Sequence, residues 1–151
     1  MRKQTRRKIW KLIDPVRHAI LGAGITQDHL LDKLRLTELA ALDAMTKGLG
    51  TVQDWQELVD MMNISECMAM EGIGPEVLPH CKQAQNALER AALRYQETYR
   101  MGLCGEGIKA LREVFEYHDL QRKSIPRSTY EKMIIKTKQR IQSRAKEVVV
   151  L

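Results

Sequence analysis

The chain has 151 residues, of which 44% are hydrophobic, and it carries 25 Lys/Arg against 19 Asp/Glu for a formal net charge of +6. This composition suffices for one compact domain with a buried core and argues against wholesale disorder. No apolar run approaches the roughly 20 residues that a membrane-spanning helix needs, and no apolar stretch follows the basic N-terminus as in a secretion signal. We therefore expect a soluble protein that does not contact a membrane.

The cysteines indicate a reducing compartment. Cys67, Cys81 and Cys104 are odd in number, far apart in sequence, and form no Cys-x-x-Cys pair. A disulfide framework would need an even number at closer spacings. We expect free thiols and a cytoplasmic location.

Charge is distributed unevenly along the chain. Residues 1–17 contain seven Lys/Arg and one Asp, residues 18–121 contain nine Lys/Arg and sixteen Asp/Glu, and residues 122–151 contain nine Lys/Arg and two Glu. The three segments therefore carry +6, −7 and +7. Two basic ends around an acidic middle predict either charge matching within the molecule or two polyanion-binding segments, and composition alone does not choose between them.

Apolar residues recur every three or four positions, which predicts an all-α fold. We expect a basic N-terminal arm at residues 1–17 and one compact bundle of about five or six helices at residues 18–151. In the first part of that bundle, a short segment near residues 29–34 leads into a helix at 37–47, on which Leu39 would share the buried face.

The next helices are marked by caps and glycines. Thr51-Val-Gln-Asp54 is a capping box that opens a helix running to Gly72. Pro75 suits the first turn of the following helix, which is the longest and ends near Arg100. A helix closing at the Ser124-Ile-Pro126 joint comes next, and a second capping box, Ser128-Thr-Tyr-Glu131, opens a final basic helix at about 128–146.

Residues that could carry catalysis or bind a metal do not cluster. The histidines His18, His29, His80 and His118 are scattered, and neither a His-Glu-x-x-His motif nor a glycine-rich phosphate loop occurs. The nearest approach to a reactive group is the set Glu113, Glu116, His118 and Asp119, which is more typical of a solvated acidic face beside a histidine at the edge of the core. We expect no enzymatic activity, no metal and no cofactor.

The turn Gly72-Ile73-Gly74 resembles the hairpin of helix-hairpin-helix DNA-binding modules, in which backbone amides meet a phosphate. Glu71 and Glu76 would place two negative charges beside that phosphate, and Pro75 lacks an amide hydrogen. The alternative interpretation is a C-capping glycine followed by a helix that starts with proline.

The basic ends carry the clearer binding signal. Cations spaced four residues apart in the final helix would form one ridge, and the arm combines dense positive charge with a ring that could stack on a base. The candidate nucleic-acid-binding residues are Arg2, Lys3, Arg6, Arg7, Lys8, Trp10 and Lys11 in the arm and Lys132, Lys136, Arg140 and Arg144 in the helix. The alternative for the ridge is a solvated face that balances the acidic middle.

Several short motifs occur in a fixed order between Leu36 and Ala145. They are Asp54-Trp55, Gly72-Ile-Gly-Pro-Glu76, Ala84-Gln-Asn-Ala-Leu88, Ala110-Leu111, His118-Asp119-Leu-Gln121 and Arg140-Ile141. In these the chain resembles small, uncharacterised helical proteins of bacterial phage and prophage regions. The resemblance implies a mobile-element setting in a host cytoplasm and brings no assigned activity.

Three functions follow as hypotheses, of which the last is an enzyme that would use a pocket lined by Glu113, Glu116 and His118. The first is a non-enzymatic accessory protein of a mobile element that binds the backbone of DNA or RNA through the arm and the final helix. The second is an inhibitor, of the anti-CRISPR type, that binds a host nucleoprotein complex through the acidic middle or an apolar helix face. Eight methionines would also allow a Met-rich face for homodimerisation, with ordinary core packing as the alternative.

Overall fold

The structure, a computed structural model, describes residues 28–143, with side chains from residue 31 onwards. This part of the chain is an all-α bundle whose elements are α1 (Asp28–Thr46), α2 (Val52–Met70), a 3-10 turn (Pro75–Val77), α3 (Leu78–Thr98), α4 (Gly105–Lys123) and α5 (Arg127–Ser143). The predicted fold class is confirmed. Residues 1–17 lie outside the described residues.

Helix α1 is continuous where the sequence suggested a short segment followed by a helix. Leu42 and Met45 are buried as expected, but Leu39 is 43% exposed, so its predicted place on the buried face was wrong. Because successive residues are 100° apart, Leu39 lies about 100° from Glu38, and Glu38 occupies the centre of the face that packs inward. The inward-facing residue at this point of α1 is therefore the carboxylate of Glu38 and not the side chain of Leu39.

Helix α2 is the central element of the bundle and packs against all four other helices. Its N-terminus has the predicted capping box, in which the Thr51 hydroxyl accepts from the Asp54 amide at 3.1 Å and the Asp54 carboxylate accepts from the Thr51 amide at 2.8 Å. Trp55 is fully buried, and its indole N–H donates to the Leu88 carbonyl of α3 at 2.9 Å. The predicted cap thus starts the helix that the rest of the core surrounds.

Helices α3 and α4 pack closely through small residues. A Cβ atom added at Gly107 would lie 2.7 Å from the Cβ of Ala87, so only glycine permits this approach. Cys104 caps α4, since its Sγ accepts from the Gly107 amide at 3.4 Å. At the same end of the bundle the two loops that precede α2 and α4 are joined, because the Gly50 amide donates to the Met101 carbonyl at 3.0 Å.

Helix α5 begins at Arg127, so Ser128 is its second residue and cannot be an N-cap. The predicted second capping box was therefore wrong. The Pro126 carbonyl accepts from the Tyr130 amide at 3.1 Å, which starts the helix earlier, and Glu131 instead pairs with Arg127 at 2.9 Å. Pro126 thus lies at the N-cap position, one residue before the helix.

Most methionines among the described residues belong to the core, as the alternative of ordinary core packing predicted. Met45, Met61, Met62, Met68 and Met101 are each at most 1% exposed, whereas Met70 is 57% exposed. Within residues 28–143, no helix is long and apolar enough to cross a bilayer.

Candidate nucleic-acid interface

The predicted cationic ridge of α5 winds around the helix. Four residues advance an α-helix by 400°, so each step from Lys132 to Lys136 to Arg140 rotates the side chain by about 40°. Lys132 and Lys136 are exposed, while Arg140 is only partly exposed and lies beside α2. Arg144 and the arm residues Arg2, Lys3, Arg6, Arg7, Lys8, Trp10 and Lys11 lie outside the described residues.

Two of the ridge residues form ion pairs with α2 and the turn that ends it. Lys136 Nζ pairs with a carboxylate oxygen of Glu71, and Arg140 Nη2 pairs with one of Glu66. The hydrogen bond to Glu71 raises the pKa of Lys136. These pairs place positive charge at the C-terminal end of α2, which has no basic residue in its own last turn, and this arrangement is favourable for the helix dipole.

The outer face of α5 retains cations that the pairs do not use. Lys132 and Lys138 are exposed and form no ion pair with any residue in the range 31–143. Only Tyr130 and Thr137 of this helix are buried. Helix α5 is therefore a peripheral basic helix that packs along a narrow strip and turns a charged face outward.

The Gly72-Ile73-Gly74 turn uses its own amides to end α2. The Gly72 amide donates to the Ala69 carbonyl at 3.0 Å and the Ile73 amide to the Met68 carbonyl at 2.9 Å. Gly72 has a positive φ of 88°, as such a C-cap requires, whereas Gly74, with φ 64°, is the N-cap of the 3-10 turn that follows. Since two amides of the turn already have partners, the helix-joint interpretation fits this geometry better than a phosphate cradle.

The fold separates the four residues that came nearest to a reactive group in the sequence. Glu116 is exposed, Glu113 lines a cleft between α3 and α4, His118 is fully buried and Asp119 belongs to an ion-pair network. Among residues 31–143 no group of three or more His, Cys, Asp and Glu side chains could hold a metal ion. The cleft has a volume of about 580 Å³ and a lining of mixed charge, in which Arg90, Lys109, Glu106 and Glu113 stand beside amide side chains.

Sequence reasoning missed a network of ion pairs between α1 and α4. Arg122, counted with the basic end of the chain, is fully buried and binds Glu38 in a bidentate pair with both N···O distances 2.8 Å. Asp119 accepts from Arg35 Nε at 2.6 Å and lies 3.6 Å from Arg122 Nη2. Burial raises the pKa of Glu38, and Arg122 offsets this only partly. The sequence signal was weak: an arginine spaced four residues after His118 on an amphipathic helix.

A second missed feature is a buried chain of hydrogen bonds that links α5, α4 and α2. Gln121 Nε2 donates to the carbonyls of Ser65 and Ile73, so Gln121 Oε1 can only accept. His118 Nδ1, 3.1 Å from that oxygen, therefore carries the proton, and His118 Nε2 accepts from the Tyr130 hydroxyl at 3.1 Å. Burial and the nearby Arg122 lower the pKa of His118 to about 3, so the ring is neutral and structural at pH 7.

The candidate interface in the described part of the chain is thus the outer face of α5, with Lys132 and Lys138 as its unpaired cations. Lys136 and Arg140 lie at the edge of this face and hold the helix against α2. No protein-family model, no curated protein and no solved structure matches this chain.

Proposed function

We propose that the protein is a non-enzymatic nucleic-acid-binding accessory protein of a mobile element. It contacts the phosphate backbone through the basic arm and through α5. The observation that carries the proposal is the pair of exposed lysines without ion-pair partners among residues 31–143, Lys132 and Lys138, on a peripheral helix. Lysine side chains that are free to approach phosphates supply most of the sequence-independent affinity for nucleic acid.

The roles of the α5 cations differ in this proposal. Lys132 and Lys138 contact phosphates, and Arg140 keeps α5 in place through Glu66. Lys136 is half-exposed beside Glu71 and contributes less, because the carboxylate already offsets its charge. Helix α5 therefore acts together with the arm, whose five clustered cations Arg2, Lys3, Arg6, Arg7 and Lys8 provide the larger share of the charge.

The ion pairs of Lys136 and Arg140 favour a second candidate function. Two of the three described ridge residues form ion pairs within the fold. This is expected if the charge of α5 stabilises the bundle and the binding partner is a protein. In that case the chain inhibits a host nucleoprotein complex, in the manner of an anti-CRISPR protein.

The test is a salt titration of binding to short DNA and RNA, both single- and double-stranded, followed by fluorescence anisotropy. Three proteins are compared: wild type, a full-length variant in which Arg2, Lys3, Arg6, Arg7 and Lys8 are replaced by glutamine, and the double variant Lys132→Ala/Lys138→Ala. We expect steep salt dependence for wild type, with a slope that falls by roughly 0.7–0.9 for each phosphate-binding cation that the substitutions remove.

The matched control is Lys33→Ala/Lys82→Ala, which removes two exposed lysines from α1 and α3. It is expected to weaken binding less than the α5 pair, because both double variants reduce the overall charge equally but only the α5 variant removes cations from the interface. Absence of binding near 50 mM salt would exclude the proposal and make the protein-binding inhibitor the leading function.

A further inference from the structure

Tyr99 has a backbone conformation that is unusual for its residue type. It ends α3 in the left-handed region, with φ 57° and ψ 19°, and its amide donates to the Tyr95 carbonyl at 2.8 Å. Every other residue of positive φ in the described chain is a glycine, at positions 48, 72 and 74. A side chain at such a position costs stability, because its Cβ crowds the carbonyl oxygen.

The side chain of Tyr99 buries little of its surface in the fold. The residue is 82% exposed, and its one aromatic contact among residues 31–143 is an edge-to-face arrangement with Tyr95, with centroids 6.3 Å apart and planes at 75°. An aromatic ring usually contributes to stability through burial of its large apolar surface. Strain retained without compensating burial indicates that the ring itself serves a purpose at the surface.

Two arginines lie within five positions of Tyr99 in the sequence, Arg94 on α3 and Arg100 immediately after it. Arg94 Nη2 donates to the Gly102 carbonyl at 3.0 Å, which fixes the guanidinium against the loop that carries Tyr99. Guanidinium has five N–H donors, so this hydrogen bond leaves most of them available. Arg100 is exposed on the same loop, and Glu97 is the single acidic residue between positions 94 and 100. We call Arg94, Tyr99 and Arg100 the Tyr99 corner.

We propose that the Tyr99 corner binds single-stranded nucleic acid, with a base stacked on the Tyr99 ring and the flanking phosphates contacted by Arg94 and Arg100. The inference rests on the proposed function and adds its substrate class. A ring can stack on a base only where the face of that base is free, and bases inside a duplex are covered by their neighbours. Tyrosine with adjacent arginine is the combination that sequence-tolerant single-strand binding uses.

The experiment measures anisotropy of a labelled 12-nucleotide oligo(dT) and of a labelled 12-base-pair duplex at 50 mM NaCl with full-length protein. Tyr99→Gly removes the ring and at the same time suits the left-handed conformation, so weaker binding cannot be ascribed to unfolding. Tyr99→Phe keeps the ring. Lys82→Ala removes one exposed cation elsewhere on α3 and controls for general electrostatics.

We expect Tyr99→Gly to weaken oligo(dT) binding about tenfold, within the roughly 5- to 150-fold that removal of one base stack produces. Duplex binding by this variant stays within about twofold of wild type, and Tyr99→Phe stays within about twofold on both ligands. Urea unfolding of Tyr99→Gly gives a midpoint equal to or above that of wild type.

The failures are distinguishable. If wild type binds either ligand and Tyr99→Gly binds oligo(dT) equally well, the corner inference is overturned while the proposed function stands. If wild type binds neither ligand, the corner inference is overturned, and the salt titration with DNA and RNA described above decides the proposed function. If sedimentation velocity shows a wild-type dimer that Tyr99→Gly converts to a monomer, the ring is an interface between copies of the chain, and the single-strand assignment is wrong.

Discussion

At the residue scale, Arg122 illustrates how a buried charge is tolerated. Its guanidinium is fully buried, with Nη1 and Nη2 on the Glu38 carboxylate and Nε without a hydrogen-bond partner among the described residues. The pair belongs to a larger network in which Asp119 also binds Arg35 and lies 3.3 Å from Lys123 Nζ. Removing either member of the central pair would leave the other charge in the core without its partner.

We predict that Arg122→Met lowers the free energy of unfolding by about 3–5 kcal/mol, because the Glu38 carboxylate stays buried without its pair. The double variant Glu38→Leu/Arg122→Met should recover most of this stability, because neither charge then remains. Urea unfolding at pH 7 measures both. A double variant as unstable as the single one would contradict the explanation.

His118 makes stability depend on pH. Its pKa is lowered from 6.5 to about 3 in the folded protein, so between these values the unfolded chain binds more protons than the native state. The contribution of neutral His118 to the free energy of unfolding is therefore fully present above pH 6.5, and it is lost on acidification towards pH 3. The raised pKa of Glu38 acts in the opposite direction, and the lowered pKa of Asp119 acts in the same direction at lower pH.

We predict that wild-type unfolding free energy falls between pH 7 and pH 5 by at most about 1.4 kcal/mol per pH unit from this one proton. His118→Gln should make that fall shallower. Tyr130→Phe is the control, since it removes the hydroxyl bonded to Nε2 but keeps the burial that is the main cause of the shift, and it should keep the slope. Equal slopes in wild type and His118→Gln would contradict the assignment.

At the element scale, α3 and α4 approach closely because two small residues face each other. The Gly107 position leaves 2.7 Å between an added Cβ and the Cβ of Ala87, which no ordinary contact reaches. Gly105, two residues earlier in the same helix, has open space around an added Cβ. Of these two glycines in one helix turn, Gly107 is therefore the one that a close contact requires.

We predict that Gly107→Ala destabilises the protein by about 1–3 kcal/mol, because the helices must move apart. Gly105→Ala should be neutral or stabilising. Thermal unfolding of both variants, with Gly107→Ala repeated in an Ala87→Gly background, measures the coupling. The steric argument would be wrong if the cost of Gly107→Ala were the same in both backgrounds.

How well each element was predicted depends on how local its determinants are. The Thr51 capping box and the Gly72 C-cap rest on neighbouring residues, and both are present. Pro75 instead opens a separate 3-10 turn, and the long helix begins at Leu78. The prediction of a second capping box was wrong because the helix starts earlier. Its first hydrogen bond is accepted by the Pro126 carbonyl, which lies outside the four-residue motif. The predicted burial of Leu39 was wrong because tertiary contacts place Glu38 on the inner face opposite Arg122.

The candidate site was predictable only in its composition. Repetition of cations at Lys132, Lys136 and Arg140 is visible in the sequence, but the acidic residues that pair with two of them come from α2 and its final turn, more than 60 positions earlier. The exposure of Tyr99 depends on where α3 ends, and nothing in its neighbours marks a left-handed residue. Long-range pairing and backbone handedness are the parts that local patterns do not contain.

At the scale of the whole molecule, the helices differ in how much of the core they share. Ten residues of α2 are buried, whereas α5 buries Tyr130 and Thr137. Helix α2 packs against all four other helices. Helix α5, in contrast, packs substantially against α2 alone. Opening of α5 should therefore require less free energy than opening of α2.

We predict that native-state hydrogen exchange is slowest at the amides of α2 and faster in α5. The difference should grow at high salt, because the ion pairs that Lys136 and Arg140 form with Glu71 and Glu66 are then screened. Mass spectrometry of peptides from the two helices measures both rates. Equal protection of α2 and α5 at low and high salt would contradict this order.

The buried chain from the Tyr130 hydroxyl through His118 and Gln121 to the Ser65 carbonyl has a direction, since each group donates to the next. Replacing one member leaves a donor or an acceptor in the core without a partner. A lineage can therefore change these side chains only together, or by passing through a less stable intermediate. Tyr130, His118 and Gln121, whose side chains form this chain, should be inherited as one unit, and any descendant in which one of them is replaced should carry a substitution at its former partner.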